Sequence, residues 1–163
     1  KNAVRDYLRE TGVEDEWTII QGEVYGERIK EAVPFSGMLE TLQKLNAKQI
    51  PISIVSHKTR EPYLGPKRDL HAAALSWLKL NGIIDAEGLS IKADQVFFEV
   101  TKEAKINRIV QIGCTHYVDD LPEILEMIPD GINKILFSPN GEEIINSSWT
   151  VIRSWNDLPS VLS

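Results

Sequence analysis

The chain of 163 residues reads as an α/β protein: a Rossmann-like, three-layer fold with a mostly parallel sheet and helices on both faces. Three observations predict it. From Gly37 onward, short apolar runs alternate with segments whose apolar residues recur at helical spacing. The connections between them are short, as in βαβ units. Finally, Ile52-Ser53-Ile54-Val55 and Tyr117-Val118 each run into polar residues, Ser56-His57-Lys58-Thr59 and Asp119-Asp120. Buried parallel strands end this way when they deliver side chains to a sheet edge.

The elements follow in order. Val4, Tyr7 and Leu8 lie at helical spacing and Gly12 suits the stop. Residues 13–33 are mixed, with Trp17, Ile19 and Ile20 apolar, Glu14-Asp15-Glu16 in a polar loop and a charged helix over 23–31. Residues 1–33 therefore read as a helical cap or insert, and 34–163 as the α/β core. Pro34-Phe35-Ser36-Gly37 precedes a helix carrying Met38, Leu39, Leu42 and Leu45, and the first strong strand covers 50–55. A loop with Pro62, Gly65 and Pro66 leads to Asp69, a good N-cap for a helix with Leu70, Ala73, Ala74, Trp77 and Leu78 that stops at Gly82. Val96-Phe97-Phe98 is a short strand, and Thr101 caps a helix with Ile106, Ile109 and Val110 that Gly113 ends. A strand over 116–119, a helix over 122–128 and a strand over 135–137 follow, then a last strand at Val151-Ile152 and a small helix over 158–162.

Composition narrows the function. With 42% apolar and 26% charged residues and no apolar run of bilayer length, the chain suits one globular core and no membrane partner. Twenty-four acids against 18 Lys plus Arg give a net charge of −6, which argues against a nucleic-acid backbone as partner. The single cysteine, Cys114, excludes an internal disulfide and fits a reducing, cytoplasmic setting; it reads as a small buried residue rather than a nucleophile. Lys1 falls directly inside the first helical pattern, so a segment ahead of it is expected.

The candidate site lies where strands end. Asp119 and Asp120 repel one another, and a hard cation such as Mg²⁺ relieves that by taking one directly and the other in support. The alternative for Asp120 is a simple helix N-cap. Ser56 can donate its hydroxyl to a phosphoryl oxygen beside backbone amides. Lys102, in the first turn of its helix, is disfavoured by the macrodipole unless an anion sits nearby; Lys105, one turn later, competes for the same role. The loop after Ser56 carries Lys58, Arg60, Lys67 and Arg68 against Glu61, so His57, Lys58 and Arg60 are candidates to meet an anionic substrate. A Ser56–His57 catalytic pair is disfavoured because neighbouring strand residues point to opposite faces. The three histidines share no metal-ligand spacing.

In their order, these parts resemble the haloacid dehalogenase superfamily of phosphohydrolases. Ile52–Ser56 is similar to its strand ending in Ser or Thr, Lys102 to its lysine at a helix start, and Tyr117-Val118-Asp119-Asp120 to its strand ending in paired acids. The likeness runs from about Val33 to the C-terminus. It implies Mg²⁺ as cofactor, a small phosphorylated substrate, catalytic Ser56 and Lys102, metal-holding Asp119 and Asp120, and a phospho-aspartyl intermediate. The family's opening strand ending Asp-x-Asp is absent from the 163 residues. That strand would be central, between those of Ser56 and Asp119, so the chain alone is expected to be inactive. Dehalogenation or phosphonate cleavage is a related possibility. The alternative is a non-catalytic module of the same fold that binds an anionic ligand or a protein.

Overall fold

The computed structural model describes residues 2–87, 89, 91–141 and 148–162. Lys1, which the sequence places in the first helix, lies outside them. The fold is α/β, with parallel strands and helices alternating from Met38 onward.

Two helices open the chain, α1 (Asn2–Glu10) and α2 (Glu14–Tyr25), followed by a 3-10 turn over Arg28–Glu31. Glu14, Asp15 and Glu16 form the first turn of α2 rather than the polar loop expected, where the macrodipole favours acids. The helix expected over 23–31 is interrupted at Gly26, where a Cβ would lie 2.6 Å from the Gly22 carbonyl oxygen. The segment is tied to the rest of the chain. Trp77 Nε1 donates to the Ala32 carbonyl (2.8 Å), and Arg68 pairs with Glu27 (2.6 Å).

Helix α3 (Met38–Ala47) buries Thr41, Leu42 and Leu45. It closes when the Ile50 N–H bonds the Leu45 carbonyl, with Gln49 at φ 58°. The first strand, β1 (Ile54–His57), is correspondingly shorter at its start than the sequence suggests, because Ile50 takes part in closing the helix. Asp69 caps α4 (Leu70–Leu80) by accepting from the Ala72 N–H at 2.8 Å, and Leu70, Ala74 and Leu78 face inward. After β2 (Val96–Glu99), the Thr101 hydroxyl accepts from the Ala104 N–H (3.0 Å) to start α5 (Lys102–Gln111). Gly113, at φ 69°, ends it with the turn that glycine adopts without strain. Then come β3 (His116–Asp119), α6 (Pro122–Met127), β4 (Asn133–Phe137), β5 (Thr150–Ile152) and α7 (Leu158–Val161).

The strands form two parallel sheets rather than one. In the first, β1 pairs with β2, Ser56 opposite Phe98. In the second, β3 pairs with β4, Asp119 opposite Leu136, and β4 with β5. Among the described residues, neither β1 nor β3 has a strand on its other edge. Yet both edges belong to shared cores. Val55 packs with Ile109, Tyr117 and Leu136, while Ile52 and Val118 pack on Ile135 and Phe137.

The chain runs outward from β1 to β2, then returns by α5 to β3 and moves outward through β4 and β5. The interval between β1 and β3 is thus where strand order reverses, the position at which open parallel sheets bind ligands.

Candidate active site

Between β1 and β3 lies a cleft of about 1390 Å³ whose lining includes residues 50–59 of one wall and 112–121 of the other. The alternation of a parallel ladder fixes what its walls offer. Lys58 N–H donates to Glu99 O and Asn133 N–H to Thr115 O, so Ile54, Ser56 and Lys58 bond toward β2, and Tyr117 and Asp119 toward β4. The main-chain groups of Val55 and His57, and those of His116 and Val118, are directed at the cleft. An interval with backbone donors and acceptors on both sides and apolar side chains around it has the chemistry of a strand's place.

At the carboxyl end of this interval the functional candidates converge. Ser56, His57, Lys58, Lys102, Lys105, Asp119 and Asp120 all line the cleft; Arg60 does not. Arg60 stands in the loop, 76% exposed, with its Nε 3.2 Å from Asp69 Oδ2. The other loop cations are also engaged, Lys67 with Glu61 (3.6 Å) and Arg68 with Glu27, while the Lys58 ammonium lies 4.4 Å from the centre of the Tyr25 ring. The loop is therefore less of a free positive patch than its composition suggests. His57 Nε2 donates to the Val100 carbonyl at 3.1 Å. This holds the ring away from a Ser56 partnership. Among the described residues no Ser–His pair forms.

The two lysines separate clearly. Lys102 Nζ is 3.8 Å from Glu123, with a side chain 41% exposed. Lys105 is buried beside Ile109 on the inner stripe of α5 and donates to Asp119 Oδ2 at 2.8 Å. Geometry thus puts Lys105, the competing candidate, at the centre of the site and Lys102 at its rim. The sequence held a signal for this, since Lys105 and Ile109 are one turn apart on one face.

Asp119 is fully engaged. Its Oδ2 accepts from both Lys105 and the Tyr117 hydroxyl (2.7 Å), and its Oδ1 accepts from the Leu121 N–H (3.0 Å). Tyr117 was missed from the sequence, although a tyrosine two residues before an acid on a strand must share its face. Burial, and then the Asp119 charge, push the Tyr117 hydroxyl well above its ordinary pKa, so it stays a neutral donor. Asp120 is not the N-cap of α6, a position taken by Leu121; it is exposed at the cleft. Glu99, another strand-end acid, accepts from Arg108 Nε at 2.8 Å. Helix α5 is thereby attached to β2 through Arg108 and to β3 through Lys105.

The fit to a metal follows. Among the described residues, no group of three or more His, Cys, Asp or Glu could hold one. Mg²⁺ commonly takes one or two carboxylates and keeps several waters. Asp120 is exposed at the cleft, and Asp119 beside it accepts from Lys105 and Tyr117. Asp119 is thus the inner carboxylate of the pair and Asp120 the outer one. Cys114 Sγ bonds the His116 carbonyl at 3.0 Å, and burial raises its thiol pKa, which fits a packing role.

Among the described residues, no helix is long and apolar enough to cross a membrane. No protein-family model, curated protein or solved structure matches the chain.

Proposed function

We propose that this chain is part of a Mg²⁺-dependent phosphohydrolase of haloacid dehalogenase type, completed by a strand from outside the 163 residues that enters between β1 and β3. One observation carries the reading. Among the described residues, two parallel half-sheets leave their inner edges without a strand partner, and a hydroxyl, a buried ammonium and paired acids line the cleft between them.

In this reading the incoming strand brings an aspartate whose carboxylate oxygen attacks phosphorus. The P–O ester bond breaks as a second aspartic acid of that strand protonates the leaving oxygen, the alcohol departs, and the same carboxylate then takes a proton from the water that hydrolyses the phospho-aspartyl group to free phosphate. The Ser56 hydroxyl binds a phosphoryl oxygen. Lys105 holds Asp119 in place while facing the same cleft; Lys102 adds positive charge at the rim. Asp119 with Asp120 in support, and an acid of the incoming strand, would hold Mg²⁺, which would neutralise charge on the transferring group. Helix α2, whose Thr18, Gln21 and Tyr25 line the cleft, limits substrate size and excludes water.

The test is a phosphatase screen with Mg²⁺ on the natural polypeptide containing these residues, alongside Asp119→Asn and Asp120→Asn. Turnover is expected, reduced by at least about 100-fold in Asp120→Asn. Absence of turnover across sugar phosphates, nucleotides and phosphorylated acids contradicts the reading. Absence of turnover with anion binding retained is instead the signature of a non-catalytic module.

A further inference from the structure

We propose that Asn140 is a site of spontaneous deamidation, in which its side-chain amide closes on the Gly141 nitrogen and a carboxylate takes its place at the cleft.

The chain holds two Asn-Gly pairs, Asn81-Gly82 and Asn140-Gly141. Glycine obstructs attack by its own nitrogen on the preceding side chain least, because it has no Cβ. The fold treats the two pairs differently. Asn81 is the C-cap of α4, and its Nδ2 donates to the Trp77 carbonyl at 2.9 Å. Its own N–H also bonds the last turn of the helix, and the Gly82 N–H donates to Lys79 O at 3.0 Å. The buried Ile83 and Ile84 follow at once. Ring closure at Asn81 therefore requires the end of α4 to open.

Asn140 has none of these restraints. After β4, Ser138-Pro139-Asn140-Gly141 forms a turn in which the Gly141 N–H donates to the Ser138 carbonyl at 3.2 Å, with Gly141 at φ 73°. Asn140 and Gly141 are both exposed. Among the described residues, the Asn140 side-chain amide has no hydrogen-bond partner. One long bond in an exposed turn opens at low cost. A cation also stands beside the nucleophile. A Cβ at Gly141 would lie 3.7 Å from Arg153 Cζ, and positive charge there favours the anionic nitrogen and the oxyanion that its attack creates.

The step balances without an oxidant or a cofactor. The Gly141 nitrogen bonds Asn140 Cγ, the Cγ–Nδ2 bond breaks, and ammonia leaves with the Gly141 proton. Water then opens the cyclic imide at either carbonyl carbon, giving aspartate or isoaspartate. Asn140 lines the cleft between β1 and β3. Its conversion adds negative charge where an anionic substrate is to bind; this consequence, unlike the modification itself, rests on the phosphohydrolase reading.

The natural polypeptide containing these residues is incubated in mildly alkaline buffer and digested. The peptides bearing Asn140 and Asn81 are followed by mass and by separation of their aspartate and isoaspartate forms. Asn140 is expected to convert at least about tenfold faster than Asn81, and Arg153→Met to slow that conversion about threefold. Equal rates at the two sites, or an Asn140 that stays intact while a free peptide of residues 138–141 converts, overturns the site. A rate unchanged or raised in Arg153→Met overturns the part given to the guanidinium. Calorimetry with inorganic phosphate and Mg²⁺ then compares Asn140→Asp with Asn140→Gln, and the aspartate variant is expected to bind at least about threefold more weakly. Equal affinity overturns the effect on the cleft. Absence of both phosphate binding and phosphoester turnover in the wild type overturns the phosphohydrolase reading and leaves the modification standing.

Discussion

Lys105 Nζ lies 2.8 Å from Asp119 Oδ2, and both side chains are only 8% exposed. The same oxygen accepts the Tyr117 hydroxyl, and the other carboxylate oxygen accepts a backbone N–H from Leu121. A buried ion pair is tolerable only when its remaining hydrogen-bonding capacity is met, and here the carboxylate has three donors. The pair also connects two half-sheets that, among the described residues, share no strand pairing, because α5 carries Lys105 toward β3 and Arg108 toward Glu99 of β2.

Removing the ammonium should therefore cost more than its position on a helix suggests. Lys105→Met is expected to destabilise the protein by about 3–5 kcal/mol, since it leaves a buried carboxylate uncompensated. Lys102→Met should change stability by less than about 1 kcal/mol, because that lysine meets Glu123 in solvent. Urea unfolding of both variants checks the contrast; equal losses would remove the assignment of Lys105 to the centre of the site.

Tyr117→Phe keeps the ring in its core cluster and deletes one donor to Asp119. The expected loss is about 1–3 kcal/mol, the range for a hydrogen bond to a charged group. In a double-mutant cycle with Lys105→Met the two losses should be non-additive, because both groups act on one oxygen. Additivity would show that the hydroxyl and the ammonium are independent.

Asp69 supplies a pH dependence with a defined sign. The Ala72 N–H, and more weakly Arg60, lower its carboxyl below the ordinary value of 3.8. A carboxyl depressed in the folded state stabilises fully above its unfolded pKa and ceases to as pH falls through the folded value. The stability of α4 should thus decline in strongly acid solution, below pH 3.8. Asp69→Asn keeps a capping oxygen without the titration and should flatten that part of the profile, measured by urea midpoints across the acid range. An unchanged acid slope would rule out this contribution.

The legible parts of the fold were those with local causes. Asp69 and Thr101 act as caps because their side chains bond amides three residues on, and β3 runs over the residues its apolar pattern marked. The parts that depended on distant partners were not legible. The apolar run over 50–55 predicted an earlier strand, but Ile50 closes α3. The acids of 14–16 read as loop although they suit a helix start, since no apolar stripe marked α2 strongly. At the site, the strand ends and residue types were visible in the sequence. Which lysine meets which aspartate was not, because it depends on how α5 lies across the two half-sheets. The basic loop misled for the same reason: its acid partners, Glu27 and Asp69, lie in other elements.

The central claim is that the interval between β1 and β3 receives a strand. Amide hydrogen exchange at Val55, His57 and Val118 tests it most directly, because these N–H groups are directed at the cleft. Exchange is measured in the 163-residue chain and in the longer natural polypeptide. These amides should slow by on the order of 100-fold or more in the longer polypeptide, with Ile54 and Ser56, already bonded toward β2, changing far less. Equal exchange at Val55, His57 and Val118 in the two proteins would contradict it.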